Sequence, residues 1–234
     1  MFMPKGDAGE LEKQRSGHRE RLRQRLICND GDGVMDYEIL ELILCSARSR
    51  IDLKPVAKRL VSKFGSLPQV LYADIGELRQ VKDVGEAAVA AIICVRQAII
   101  RTLRREVANG AVIDKWASLI DYFRVRIGNA SIEQFFVLYL GKRYCILADE
   151  VQNTGTVDEV PLYIREVVKK ALLHGASYIV ISHNHPSGDP KPSAADIRTT
   201  ETLKAACENM GIILVDHVIV TPQRHYSFKT NGLL

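Results

Sequence analysis

The chain has 234 residues, 47% of them hydrophobic, enough for one large core or two smaller ones, and this composition excludes a disordered polymer. Its formal net charge is +4, and the excess is confined to residues 1–110, which hold 19 basic and 15 acidic side chains against 13 and 13 in the remainder. That is a weak electrostatic footprint beside the basic stripes of committed nucleic-acid binders. Cys28, Cys45, Cys94, Cys145 and Cys207 form no CxxC pair and mostly sit in apolar runs, so they read as reduced core residues. There is no signal-type apolar segment near the start and no stretch approaching the ~18 apolar residues of a membrane span. A cytoplasmic protein without membrane contact is the expectation.

Residues 1–16 are polar and glycine-containing and read as a frayed arm. "HRERLRQRLI" then opens a helical region. "DYEILELILC" carries Ile39, Leu40, Ile43 and Leu44 at helical spacing behind an Asp36 cap, and "LKPVAKRLVSKF" repeats the pattern before the breaker Gly65. A third segment, residues 75–106, holds two helical patterns split at Asp83-Val84-Gly85, so residues 1–110 read as a small all-helical domain. Asn109-Gly110 marks the boundary, and residues 111–234 read as an α/β domain. A helix around residues 114–127 precedes "IEQFFVLYL", a near-continuous apolar run typical of a strand covered on both faces. "GKR" is a hairpin turn into "YCILADEV". "PLYIREVVKKALLHG" is a helix with Pro161 near its first position, Ile164, Val167, Val168, Ala171 and Leu172 on one stripe, and Gly175 as its stop. "SYIVIS" is the next buried strand. A helix over residues 194–210 and short strands in "IILVDHVIV" and "HYSFK" complete the pattern.

The strand "SYIVIS" runs straight into "HNHPSGDPKPSAAD". Residues at i and i+2 of an extended segment point to the same side, so His183 and His185 can converge on one point, and imidazole nitrogen suits zinc. Asp196 is the candidate third ligand, because its helical face continues through Thr199 or Thr200, Leu203, Ala206, Cys207 and Met210 toward the core. Pro186, Pro190 and Pro192 stiffen the loop between. A plainer reading stands beside this one: Ser193-Ala-Ala-Asp196 is also a capping box, a common way to start a helix. The joint occurrence of two histidines at a strand exit, a stiffened loop and an inward-facing acid favours a metal site.

These residues carry a family resemblance. The stretch "HNHPSGDPKPSAAD" resembles the H-x-H-P…S-x-x-D pattern of JAMM (MPN-plus) metalloproteases, and its form is similar to the RadC branch of that superfamily. "IREVVKKAL" and "DHVIV" resemble the stretches flanking the motif in that branch. The resemblance implies a JAMM/MPN-like mixed sheet with flanking helices, preceded by a small all-helical, helix-hairpin-helix-like domain. It implies zinc (Zn2+) held by His183, His185 and Asp196, an oxyanion steadied by Ser193, and an upstream glutamate that serves a zinc-activated water. Glu133, at the entrance of "IEQFFVLYL", has that placement; Glu150 and Glu159 are fallbacks, while Glu166 reads as a solvated helix residue. Asp189 reads as a turn former or a partner of the ligands, His217 as a satisfied structural histidine with lining the site as its alternative, and His174 as a charge suited to a helix end, while His18 and His225 have no company suggesting chemistry.

In the first half, "LRQVKDVGEAAVAAI" resembles the hairpin of helix-hairpin-helix modules, whose two glycines expose backbone N–H groups to phosphate. Here only Gly85 is present and Asp83 takes the first glycine position. Aspartate tolerates the left-handed conformation, but its charge opposes a phosphate. Arg19, Arg21, Arg23 and Arg25, with Lys13 and Arg15, form the more basic patch. The expectation is a zinc metallohydrolase acting on a peptide or isopeptide bond of a peptide or protein substrate. Its alternative is a DNA-associated repair or recombination accessory, either a metal-dependent nuclease or a non-catalytic scaffold. The absence of P-C-x-x-C argues against a nucleobase deaminase, and the absence of H-E-x-x-H excludes that protease class.

Overall fold

The computed structural model describes residues 7–47, 52–154 and 162–234. The chain forms two compact units, Met1–Arg96 and Gln97–Leu234. The division falls inside α6 (Glu86–Ala108), whose end lies close to the Asn109-Gly110 breaker.

The first unit is helical, with α1 (Asp7–Cys28), α2 (Asp36–Ala47), α3 (Lys54–Phe64), α4 (Leu67–Tyr72), α5 (Ile75–Arg79) and the first half of α6. Two expectations are corrected here. Residues 7–16, read as part of a frayed arm, belong to α1. Asp36 does not cap α2; it is the first helical residue, and its carboxylate accepts from the Leu67 N–H at the start of α4. The capping contact comes from Glu38, which accepts from the Met35 N–H, while Arg25 donates to both its oxygens. Leu40, Leu44, Val56, Leu60, Leu78 and Ile92 are among the fully or almost fully buried side chains of this unit. Asp83 adopts φ +69°, as the hairpin between α5 and α6 requires, and its carboxylate takes a bond from Arg59 at 2.6 Å.

The second unit is built on a five-stranded mixed sheet in the order β2-β1-β3-β4-β5. The strands are β1 (Gln134–Leu140), β2 (Ile146–Thr154), β3 (Tyr178–Asn184), β4 (Ile213–Val220) and β5 (His225–Ser227). β1 runs antiparallel to both β2 and β3, β3 and β4 are parallel, and β5 returns antiparallel to β4. The parallel pair needs a crossover, which α9 (Ala194–Glu208) supplies. α7 (Trp116–Phe123), continued by a π-turn over Arg124–Gly128, and α8 (Ile164–Leu173) complete the helices.

Alternation along β1 explains its apolar run. Phe136, Leu138 and Leu140 pack with Leu119, Ile120 and Phe123 of α7 on one face, while Phe135, Val137 and Tyr139 pack with Val167 of α8 and Leu203 of α9 on the other. Phe136 meets Tyr122 and Phe123 edge-to-face at 5.8 and 5.7 Å. Each such buried side chain contributes roughly 1.5–3 kcal/mol, which makes the sheet's central strands a firm mount for whatever stands at their ends.

Some expectations shift. On α9, Thr200, Leu203 and Cys207 are buried as the stripe requires, but the helix ends at Glu208 and Met210 is 54% exposed. Leu172 of the α8 stripe is likewise exposed, and Pro161 lies outside the described residues. The cysteines are all free, yet only Cys207 is buried; Cys28 and Cys94 are exposed. Among the described residues, no helix is long and apolar enough to cross a membrane.

Candidate metal centre

β3 ends at Asn184, and there the chain delivers His183 and then His185 to the C-terminal end of this central strand. His183 is fully buried on the face shared with α8 and α9, and it lies across from Phe135 of β1. The proline loop then turns back, and Ser193 caps α9, whose first turn is aimed at the histidines. His183, His185 and Asp196 bring one donor atom each to within 4.8 Å of one another, a group that can hold a metal ion. The Nε2 atoms of the two histidines are 2.9 Å apart. Asp196 Oδ1 is 3.2 Å from His183 Nε2, and Oδ2 is 3.6 Å from His185 Nε2.

The capping box is present as well. Ser193 Oγ accepts from the Asp196 N–H, and Asp196 Oδ2 accepts from both the N–H and the hydroxyl of Ser193, each at 2.7 Å. The two readings of this stretch are therefore one arrangement. Starting the helix fixes the rotamer of Asp196, and the fixed rotamer leaves Oδ1 facing His183.

Hydrogen bonds around the two histidines assign their tautomers. Thr200 Oγ1 donates its only hydrogen to the Asp196 carbonyl at 2.6 Å, so it accepts from His217 Nδ1, also at 2.6 Å. The His217 Nε2 lone pair then accepts from His183 Nδ1 at 2.7 Å. This leaves His183 Nε2 as a lone pair aimed at the cluster. His185 reaches the same state by a shorter route, because its Nδ1 donates to the Asp189 carbonyl at 2.8 Å. Two imidazole lone pairs and a carboxylate converging without a cation repel one another, and a positive charge between them removes that repulsion.

A proton can be that positive charge, with an imidazole Nε2–H donating to Asp196, and the acidities of the group follow from this protonated form. Burial raises the Asp196 carboxyl, but bonds from His183, His185 and Ser193 outweigh it and hold the group well below the ordinary carboxylate range. Burial lowers the His185 imidazole, yet bonds to Asp196 and the Asp189 carbonyl, with the charges of Asp196 and Glu133, carry it above its usual value. His217 is fully enclosed, and burial and the neighbouring histidines keep it neutral.

Glu133 sits half-exposed just before β1, close enough for its charge to act on His185. It stands two residues before Phe135, the residue that pairs with His183 where the β1–β3 ladder begins. Glu150 is elsewhere and occupied: it accepts from Tyr139, Gln152 and Lys170. Glu159 lies outside the described residues, and Glu166 pairs with Lys169 on an exposed face. Asp189 serves in two ways, its side chain accepting from the Lys191 N–H as a turn former and its carbonyl orienting His185. His18 pairs with Glu41 within the helical unit; in the second unit His174 ends α8 against Tyr139 and His225 contacts Arg124, and neither belongs to the cluster.

Three participants escape a reading of the motif alone: Thr200, Asn184 and the orienting role of His217. The one signal was "DHVIV", two titratable groups inside a buried apolar strand. Asp216 there is satisfied by Ser227, the Lys229 N–H and the His217 N–H.

A mixed sheet carrying this His-His-Asp group on the exit of one strand and the first turn of the next helix defines a JAB-type domain of the JAMM/MPN superfamily. Residues 113–233 match the family described as RadC-like JAB domain. A UPF0758 protein of Rhodobacter capsulatus is 44% identical over 213 residues, covering 91% of this chain and all of the relative. A UPF0758 protein of Ruegeria pomeroyi is 42% identical over 217 residues, covering 93% of this chain and 97% of the relative. The chain belongs to the RadC-like family. Neither relative's name states an activity.

Proposed function

We propose that the second unit is a zinc hydrolase of the JAMM type that cleaves a peptide or isopeptide bond. The observation that carries this reading is the convergence of two Nε2 lone pairs on Asp196, with the charge of Glu133 beside them. Donors at the corners of a tetrahedron ~2.0–2.1 Å from a zinc ion are about 3.3 Å apart. The separations of 2.9, 3.2 and 3.6 Å bracket that value. Two nitrogens and one carboxylate oxygen are also a donor set that catalytic zinc takes, with a further position left for substrate or water. When bound, the ion supplies Lewis acidity, polarising a carbonyl and acidifying water.

The chain's own residues supply the rest. Glu133, half-exposed beside His185, accepts the proton of the attacking water and returns it to the leaving amine. Ser193 is exposed, and its N–H alone keeps Asp196 Oδ2 held when the hydroxyl turns to donate to an oxyanion. Nucleases that work through paired metals need a second nest of ligands. Among the described residues, His183, His185 and Asp196 form the single such group, which favours an amide bond over a phosphodiester.

The test is metal content and hydrolysis together, using tag-free protein and a library of fluorogenic linear and isopeptide-linked peptides. About one zinc per chain is expected, lost in His183→Ala. Glu133→Gln should keep the zinc and lose roughly 10²–10⁴-fold in rate. Undiminished hydrolysis by Glu133→Gln removes that residue from the reaction, and wild type that hydrolyses nothing sinks the reading.

One observation favours a second role for the helical unit, DNA association. Asp83 keeps the hairpin in its left-handed turn, and its charge, the objection to a phosphate nearby, is matched by Arg59. Full-length protein should then bind duplex or single-stranded DNA with an affinity that falls steeply as salt rises. A flat salt response rejects this role.

A further inference from the structure

Between the two ligand histidines stands Asn184, to which the motif assigns no chemistry. Side chains alternate along β3, so Asn184 turns to the opposite face of the sheet from His183 and away from the cluster. It is completely buried, and its amide is fully used. Oδ1 accepts from the Gln134 N–H at 2.8 Å, and Nδ2 donates to the carbonyls of Ile132 at 3.0 Å and Ala130 at 3.2 Å. These partners flank Glu133 on both sides. The pairing of β1 with β3 begins only at Phe135, so a side chain, not the strand ladder, ties residues 130–134 to β3 at this point.

We propose that Asn184 is the positioning residue for Glu133, clamping its backbone from before and after so that the carboxylate faces His185. The inference rests on the hydrolase reading and deepens it. An amide is the side chain that suits the task, because it offers one acceptor and two donors from one planar group. A carboxylate keeps the acceptor and turns both carbonyl contacts repulsive. Alanine leaves one buried N–H and two carbonyls without their partner. Because Asn184 is covalently between His183 and His185, the clamp also ties the position of the glutamate to the strand that carries the ligands. Glu133 precedes its strand with no ladder of its own toward β3, and a base displaced by ~1 Å can cost 10²-fold in rate.

The experiment compares wild type, Asn184→Ala, Asn184→Asp and each combined with Glu133→Gln in the full chain. Asn184→Ala should keep about one zinc per chain, since the ligands are untouched, while amide exchange at Gln134 rises at least tenfold by NMR. Its kcat on the peptide library should fall by about 10- to 100-fold with KM unchanged. Added to Glu133→Gln it should cost nothing further, because both changes remove the same function. Asn184→Asp should keep protection at Gln134 yet lose kcat, and it decides the matter if the alanine variant does not fold. A loss that multiplies with that of Glu133→Gln, wild-type kcat in Asn184→Asp, or unchanged exchange at Gln134 in Asn184→Ala overturns the proposal. Wild type that binds zinc but hydrolyses nothing overturns the hydrolase reading instead, and with it the role given to Glu133; faster exchange at Gln134 would still support the clamp.

Discussion

Replacing His217 by phenylalanine tests whether the buried relay sets the metal site. His217 is enclosed between His183 and Phe228, whose ring stacks on it at 4.5 Å, so a second flat ring of similar size can fill the space. The Thr200 hydroxyl keeps its bond to the Asp196 carbonyl. What is lost is the acceptor for His183 Nδ1–H, inside a site where His183 is 0% exposed. A buried donor left without a partner costs about 1–3 kcal/mol, and if His183 turns or changes tautomer to escape that cost, its Nε2 no longer faces the cluster. Taken from metal affinity at 1.4 kcal/mol per decade, this is roughly 5- to 150-fold. Substitutions of partners behind metal-bound histidines lower affinity by ~10–100-fold, in the same range. Competition for zinc against a chromophoric chelator reads the effect, with a thermal melt to show that the variant folds. Affinity within twofold of wild type in a folded His217→Phe protein would refute the relay as the device that orients His183.

Asp196→Asn should leave α9 started, since the amide oxygen can still accept from Ser193, but lose zinc. A four-ligand zinc site is worth ~10–16 kcal/mol, so one ligand carries about 2.5–4, or about 10²–10³-fold in affinity by the same competition assay. Wild-type affinity in this variant would remove Asp196 from the ligand set. Glu38→Gln tests the helical unit through pH. Burial raises the Glu38 carboxyl, but the bonds from the Met35 N–H and from Arg25 outweigh it and bring it below its ordinary value. A carboxyl lowered in the folded state stabilises above its unfolded value and loses that stabilisation as pH falls through the folded one. The variant should therefore be about 1 kcal/mol less stable at pH 7, and its gap from wild type in urea midpoint should close as pH falls below about 4. A gap that does not change with pH would show that the charge of Glu38 contributes nothing.

The elements were legible because their signals are local. The 3.6-residue spacing of Ile39, Leu40, Ile43 and Leu44, the unbroken run Phe135–Leu140 and the stops at Gly65 and Gly175 each act within a few residues, so the sequence alone pointed to a helical region followed by α/β elements. The spacing H-x-H…S-x-x-D determined the ligand candidates for the same reason: a strand end and a first helical turn fix directions over short range. Asp36 and Met210 went astray where a tertiary contact or the helix end decided. The carboxylate of Asp36 found the Leu67 N–H 31 residues on, and α9 ended before Met210 could turn inward.

What only the tertiary structure decided is how residues far apart in the chain support the His-His-Asp group. Pairing of β3 with β4 brings His217 to His183 across 34 residues, and Asn184 reaches back 50 residues to Gln134. Register is set by how whole strands bury their faces, and a slip of one residue would turn each of these side chains to the other side of the sheet. The motif names the atoms that can touch a metal. The sheet's packing fixes, through His217, which nitrogen of His183 holds the lone pair, and it brings Asn184 against the backbone on either side of Glu133.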